Sequence, residues 1–389
     1  MFKIRTYNKI SVKGLQKFSL DKYEIASEIG HPSAIMLRSH VLSPDDIDTS
    51  VKAIGRAGAG VNNIPVGNCT ERGIVVFNAP GANANAVKEL ALAAMLLSTR
   101  DIIGAVDFIR AEGPGKNAEE LHKLVEDGKK AYGGTELRGK TLGVVGLGAI
   151  GSLVAETGLL LGMQVLGYDP ALSVEAAWRL SRDVRRMENM QSLLSKSDIV
   201  SLHLPVLEAT RNLINKELVD SFKPGATLIN LSREKVVDTD AILLGLDSGK
   251  IGKYITDFPV VAMMGRQDVI SIPHLGASTE EAEENCAIMV ADQLIDFLEN
   301  GNIRNSVNFP NIALERNGGY RIAFSNRNVP KMLNQVLSVL ADREINVIDM
   351  INKSRDEVAY NLIDIETEPT PELVAALEQI DGVIKVRTL

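Results

Sequence analysis

Short apolar runs recur through the first three hundred positions, and longer stretches with helical spacing separate many of them. This alternation predicts parallel α/β layers. Residues 33–37, 51–54 and 74–77 read as buried strands. Residues 86–110 form a long apolar-rich helical stretch with no glycine until Gly104, suited to connect one domain to the next. Residues 112–134 are polar and read as exposed loop with short helix. Strand patterns resume at 141–145, 163–168, 199–204, 226–231, 253–255 and 269–272. A helix follows from about Thr279, with Glu280, Glu281 and Glu283 in its first turns, where the helix dipole favours acids. Residues 300–319 read as a polar linker. Beyond it, strands at 321–324, 347–353, 359–365 and 384–388 and helices at 330–341 and 371–379 give the order βαββαβ, a ferredoxin-like split unit. That order predicts a separate third domain.

The run Lys140 to Gly151 carries the first chemistry. A strand ends in Gly146-x-Gly148-x-x-Gly151, and helical spacing follows through Val154, Leu159 and Leu160. This is the context a dinucleotide fingerprint requires. Gly146 permits the turn, Gly148 a close approach of a pyrophosphate, and Gly151 close packing of helix on strand. The anion would sit at the helix N-terminus. A second strand ends in Asp169. A carboxylate there binds ribose hydroxyls and repels a 2′-phosphate, which predicts NAD over NADP.

Composition narrows the picture by exclusion. The net charge is −8 with no basic run, which disfavours nucleic-acid and anionic-membrane binding. Cys69 and Cys286 are the only cysteines and lack CxxC spacing, so neither a disulfide framework nor a metal site is expected. No signal-peptide core or bilayer-length apolar run is present, and the expectation is a cytoplasmic protein with a small-molecule substrate.

Other polar residues stand at predicted strand ends, where open α/β sheets bind ligands. They are His203 and Pro205, Ser232 and Arg233, and His274. Oxidising a hydroxy acid needs a base for the hydroxyl proton and a cation for the carboxylate. His274 and Arg233 supply that pair. The same residues also read as a loop histidine satisfied by backbone and a surface cation.

Six stretches together resemble the D-isomer-specific 2-hydroxyacid dehydrogenases. They are 56–64, 77–81 with Glu89, 137–146, 201–205, 230–234 with Asp238, and 272–279. The resemblance implies two Rossmann-like, doubly wound α/β domains, with residues 1–97 and 284–310 as the substrate domain and 98–283 as the NAD domain. It implies an arginine at Arg233 and a histidine at His274 in catalysis. It implies cofactor contacts at Gly146, Gly148, Ala149, Ile150, Gly151, Asp169, Leu204, Pro205, Leu231, Ser232, Asp257 and Gly276. Its substrate loop maps to Gly58, Ala59 and Gly60. Arg38 and Arg56 fall where members acting on phosphorylated acids carry cations. The activity so implied is NAD-dependent oxidation of D-3-phosphoglycerate to 3-phosphohydroxypyruvate, which opens L-serine biosynthesis. Another D-2-hydroxy acid, such as 2-hydroxyglutarate, and a catalytically weakened NAD sensor are the alternatives.

Two departures stand out. The family's catalytic Glu falls on Val261, with Glu234 and Asp268 as possible substitutes. The final unit, 318–389, resembles ACT regulatory domains, whose effector positions map to Asn326, Asn328 and Asn346. Lys331 replaces a glycine of the effector turn. This part of the resemblance implies a possible L-serine effector and a homo-oligomer, dimer or tetramer.

Overall fold

Parallel pairing of the apolar runs builds two open sheets. The first contains β1 (Phe2–Thr6), β2 (Tyr23–Ala26), β3 (Ala34–Leu37), β4 (Ala53–Arg56) and β5 (Val75–Phe77), in the order β2-β1-β3-β4-β5. The pattern of residues did not reveal β1 and β2. β1 alternates Phe2 and Ile4 with Lys3 and Arg5 over five residues only, and β2 is a half-exposed edge. The helix Glu280–Asn300 covers this sheet, burying Cys286, Ala287, Val290, Leu294 and Phe297. A Cβ on Gly55 of β4 would lie 2.3 Å from Val290 Cγ1, so this glycine sets how closely the helix approaches.

The second sheet contains β6 (Thr141–Val145), β7 (Gln164–Tyr168), β8 (Arg185–Arg186), β9 (Ile199–Leu202), β10 (Ala226–Asn230), β11 (Ile251–Thr256) and β12 (Val269–Ser271). Its order is β12-β11-β10-β9-β6-β7-β8, all parallel. The expected long helix at 86–110 is two helices, Ala84–Thr99 and Ile102–Glu112. Asp101 interrupts them and caps the second by accepting from the Gly104 N–H at 3.0 Å. The polar stretch after it contains a full helix, Ala118–Gly128, started by a capping box of Asn117 and Glu120.

The third sheet is antiparallel and contains β13 (Tyr320–Arg327), β14 (Val347–Arg355), β15 (Val358–Ile365) and β16 (Val383–Thr388), ordered β14-β15-β13-β16. Helices Met332–Ala341 and Pro371–Glu378 share a core with one face. The other face carries Ala323, Tyr360 and Leu362, which share a core with Phe77, Phe297 and Phe309.

This computed structural model describes residues 1–389, the side chain of Glu175 excepted. They divide into one unit of residues 1–83 with 280–389 and another of residues 84–279. The compact units change over at 83/84 and 279/280, and Ala84–Thr99 packs on the helix Ala149–Leu160. The third sheet belongs to the first unit. The stretch 300–319 is not a free linker. Ile303 pairs with Ile312, Ser306 with Phe77, and Phe309 is fully buried. Among the described residues no helix is long and apolar enough to cross a membrane.

Candidate active site

In the second sheet the strand order reverses between β6 and β9, the switch point where such sheets bind ligands. Gly146 follows β6 with φ +88°, and a Cβ there would lie 2.3 Å from His203 O. A Cβ on Gly151 would lie 1.8 Å from Gly146 O. Only glycine fits either place. A Cβ on Gly148 would meet nothing within 4 Å, so the turn at the start of the helix Ala149–Leu160 faces open space. Ala149 and Ile150 are the first two residues of that helix. These residues fit a dinucleotide: two glycines fold the turn and the third leaves room for a pyrophosphate.

At the end of β7, Asp169 accepts from Leu147 N–H at 2.8 Å and Ala171 N–H at 2.9 Å. It borders a cavity of about 680 Å³ lined also by Leu147, Pro170, Trp178, Val184 and Arg186. Sequence reasoning missed Trp178 and Arg186. The available signal was the chain's single tryptophan in a polar segment; its side chain is 85% exposed.

Ser232 ties the ends of β9 and β10 together. Its hydroxyl donates to Leu202 O at 2.5 Å and accepts from Leu204 N–H at 3.1 Å. Leu231 is buried beside it, and Pro205 is exposed. Burial pushes the pKa of His203 down to about 4, and its Nε2 sits 2.9 Å from Ser201 Oγ.

Arg233 and His274 are brought together around Phe258. The guanidinium carbon lies 5.9 Å from the Phe258 ring centroid, and the His274 ring lies 4.6 Å from it. Arg233 Nη1 donates to Ser232 O at 2.7 Å. Asp257 is buried next to this group. Burial raises its pKa, against the Gly276 N–H bond at 3.1 Å and the charges of His274 and Arg233, which lower it. Its Oδ1 is buried with no protein partner. Such an atom awaits a donor.

In the first unit the cations cluster at the carboxyl ends of β3 and β4. Asn63 accepts from Arg56 Nε at 3.0 Å and donates to Arg38 O and His40 O. Arg38 Nη1 is 2.6 Å from Glu283 Oε1. A Cβ on Gly58 would lie 2.3 Å from Arg56 Nη1, so the loop needs glycine beside the guanidinium. Asn78 donates to Ala59 O at 2.5 Å, and Ala79 N–H to Gly58 O at 2.9 Å. Gly60 completes the loop. The first unit thus combines the Arg56 guanidinium and the Glu283-paired Arg38 with a backbone turn, a combination that suits an anionic group.

Comparison with known proteins agrees with this geometry. Residues 92–276 match the D-isomer specific 2-hydroxyacid dehydrogenase, NAD binding domain. D-3-phosphoglycerate dehydrogenase of Haemophilus influenzae is 35% identical over 388 residues, covering 96% of this chain and 90% of that protein. The enzyme of the same name from Escherichia coli strain K12 is 33% identical over 389 residues, with the same coverage. The chain belongs to the D-isomer-specific 2-hydroxyacid dehydrogenase family. Among solved structures, the NAD+-bound 3-phosphoglycerate dehydrogenase of Entamoeba histolytica superposes with TM-score 0.61 at 25% identity, covering 79% of this chain and 98% of that one. The dehydrogenase therefore uses NAD, and the open turn at Gly148 and the carboxylate of Asp169 suit it.

The candidate substitutes for the missing Glu do not fare alike. Val261 opens a one-turn helix, Val261–Met263, and is 91% exposed. Asp268 is spent: Arg266 grips both its oxygens at 2.9 and 2.8 Å, and it precedes β12, whereas His274 follows the strand's other end. Glu234 is exposed at the start of a short turn. The charges of His274 and Arg233 both act on Asp257, lowering its pKa against burial.

In the third sheet the three effector candidates are not brought together. Asn326 is buried, donating to Arg327 O and accepting from Asn361. Asn328 follows the Arg327 end of β13 and donates to Asp356 O. Asn346 precedes the opposite end of the sheet, since Val347 and Tyr320 both align with Ile365, and it donates to Glu366. The two ends lie roughly 20 Å apart at ~3.3 Å per residue. Lys331 holds the left-handed conformation, φ +73°, that the family's glycine would supply without strain.

Proposed function

We propose that this dehydrogenase oxidises D-3-phosphoglycerate to 3-phosphohydroxypyruvate, the opening step of L-serine biosynthesis. The observation that carries the substrate assignment is the Arg56 guanidinium beside the Gly58–Gly60 loop, with Arg38, paired to Glu283, at the end of the neighbouring strand. Similarity to D-3-phosphoglycerate dehydrogenases over 96% of the chain supports the same reading.

Arg233 holds the substrate carboxylate through its planar fork. Its bond to Ser232 O and its place beside Phe258 fix the orientation of that fork. Bound in this site, NAD would supply the acceptor for the hydride of C2. His274 takes the proton of the C2 hydroxyl. Asp257 offsets the positive charge that then forms on the imidazole, and its free Oδ1 would be open to a donor of the bound cofactor. Arg38 and Arg56 hold the phosphate. Gly146, Gly148, Ala149, Ile150 and Gly151 would hold the pyrophosphate, and Asp169 the ribose. Leu204, Pro205, Leu231, Ser232 and Gly276 line the rest of the cofactor site.

The protein acts in the cytoplasm as a homo-oligomer. Ile102, Ile103, Val106 and Ile109 are exposed on one helix, and Leu121 and Val125 on the next, an apolar surface that a second copy would cover. Its third sheet binds L-serine between copies, where Asn328 of one chain and Asn346 of another can meet.

The test is NAD reduction with D-3-phosphoglycerate, D-2-hydroxyglutarate and D-lactate, with and without L-serine. A clear preference for the phosphorylated acid is expected. Preference for another acid would overturn the substrate assignment. Val261 favours one further reading, a protein that binds NAD with little turnover. NAD binding without reduction by any of the three acids would support it.

A further inference from the structure

We infer that Gln293 is a positioning residue for the substrate loop, acting through Asn78. The inference rests on the functional reading above and concerns the same loop. Gln293 sits in the middle of the helix Glu280–Asn300 and is 6% exposed. Its Nε2 donates to Asn78 O at 3.1 Å. Asn78 in turn donates from its side chain to Ala59 O at 2.5 Å, and the next residue's N–H takes Gly58 O. A chain of hydrogen bonds thus runs from the helix, through Asn78–Ala79, to the turn Gly58–Gly60.

One observation argues against a pure packing role for Gln293, which is buried beside a groove of about 700 Å³. Its Oε1 is buried with no partner, a cost that a side chain kept for packing alone would avoid. The donor bond to Asn78 is what the amide retains. The same helix also fixes a cation of the site, since Glu283 holds Arg38. One rigid helix therefore sets both the loop and the phosphate cation, and Gln293 is the contact that sets the loop. The Gly58–Gly60 turn grips substrate alike in the ground and transition states, so its misplacement raises KM more than it lowers kcat.

Gln293→Met keeps the length and removes the amide. Its KM for the hydroxy acid should rise at least about fivefold, the scale of one lost hydrogen bond. Binding of NAD, followed by NADH fluorescence, should stay within about twofold of wild type. Gln293→Lys restores a donor and should recover most of the KM. Asn78→Asp removes the next donor in the chain, and combined with Gln293→Met it should add little further loss, because the two act on one loop. The acid used is whichever the wild type turns over fastest, so the substrate assignment can fail while Gln293 is still tested. An unchanged KM in Gln293→Met, equal impairment in the Met and Lys variants, or full additivity with Asn78→Asp would overturn the inference. If Gln293→Met does not fold, the Lys and Asn78→Asp variants carry the same comparison.

Discussion

At the scale of single residues, the fingerprint glycines were legible because each has one physical job. No side chain fits at Gly146 or Gly151, and Gly148 faces open space. Asp169 was legible by its place at a strand end. Its neighbour Arg186, on the two-residue edge strand β8, was not, because that strand has no apolar run. The pair yields a prediction. Wild type should prefer NAD over NADP by about tenfold or more, since ~1.4 kcal/mol separates the two at that ratio. Asp169→Ala should remove the repulsion and leave Arg186 to meet a 2′-phosphate, so its kcat/KM with NADP should rise while that with NAD falls. Equal efficiencies in wild type would sink the assignment. For the chemistry, His274→Ala should lower turnover by roughly 10²–10⁴; near-normal activity would remove it from the mechanism. Asp257→Asn tests what stands in for the absent Glu. A carboxylate near an imidazole favours the charged ring. Removing it should move the acid limb of the oxidation rate to lower pH, because the neutral base then persists further into acid. An unmoved limb would show that Asp257 does not act on His274.

At the scale of elements, the buried strands of the second sheet were legible from apolar runs, with no end off by more than two residues. The edge strands β2 and β8 were not, and the helix Ala118–Gly128 was legible only as short helix within a loop, because these solvent-facing elements lack a strong pattern. β16 hides another feature. Lys385 projects toward the first sheet and donates to Val51 O at 2.9 Å. Burial, then the charges of Arg387, Lys52 and Arg72, push its pKa down from 10.5 to about 8. Burial also lowers Lys52. The folded state therefore sheds this proton at lower pH than the unfolded chain. Between about pH 8 and 10.5 the unfolded state binds more protons, so stability should rise with pH across that window. Lys385→Met should flatten the rise. Denaturant midpoints at pH 7, 8, 9 and 10 would show it, and parallel curves for the two proteins would mean that the lysine keeps its ordinary affinity for protons.

At the scale of the whole molecule, the order βαββαβ at the end of the chain suggests a unit that folds alone, and its own helices and inner core agree. Yet its outer face is not a surface. Polar residues in 300–319 disguised a segment that buries Ile303, Phe309 and Ile312 between the sheets. Arg321, fully buried, joins both parts. It pairs with Asp364 at 2.6 and 2.7 Å and donates to Asn300 O, Leu314 O and Glu315 O. Arg387 donates to Phe297 O and Leu298 O, at the end of the helix whose dipole favours a cation there. The third sheet should therefore unfold together with the first, in one transition. Asp364→Ala leaves a buried guanidinium without its carboxylate, which should cost about 3–5 kcal/mol. A chain ending at Val307 should expose Phe77 and Phe297 to water and aggregate or melt at a markedly lower temperature. Calorimetry of the full chain and of Asp364→Ala decides the point. A separate low-temperature transition in the full chain, or a truncated chain as stable as the whole, would show that the third sheet is an appended module. A single transition for the first unit, shifted as a whole by Asp364→Ala, would show that the C-terminal sheet is built into the body that holds Arg38, Arg56 and the substrate loop.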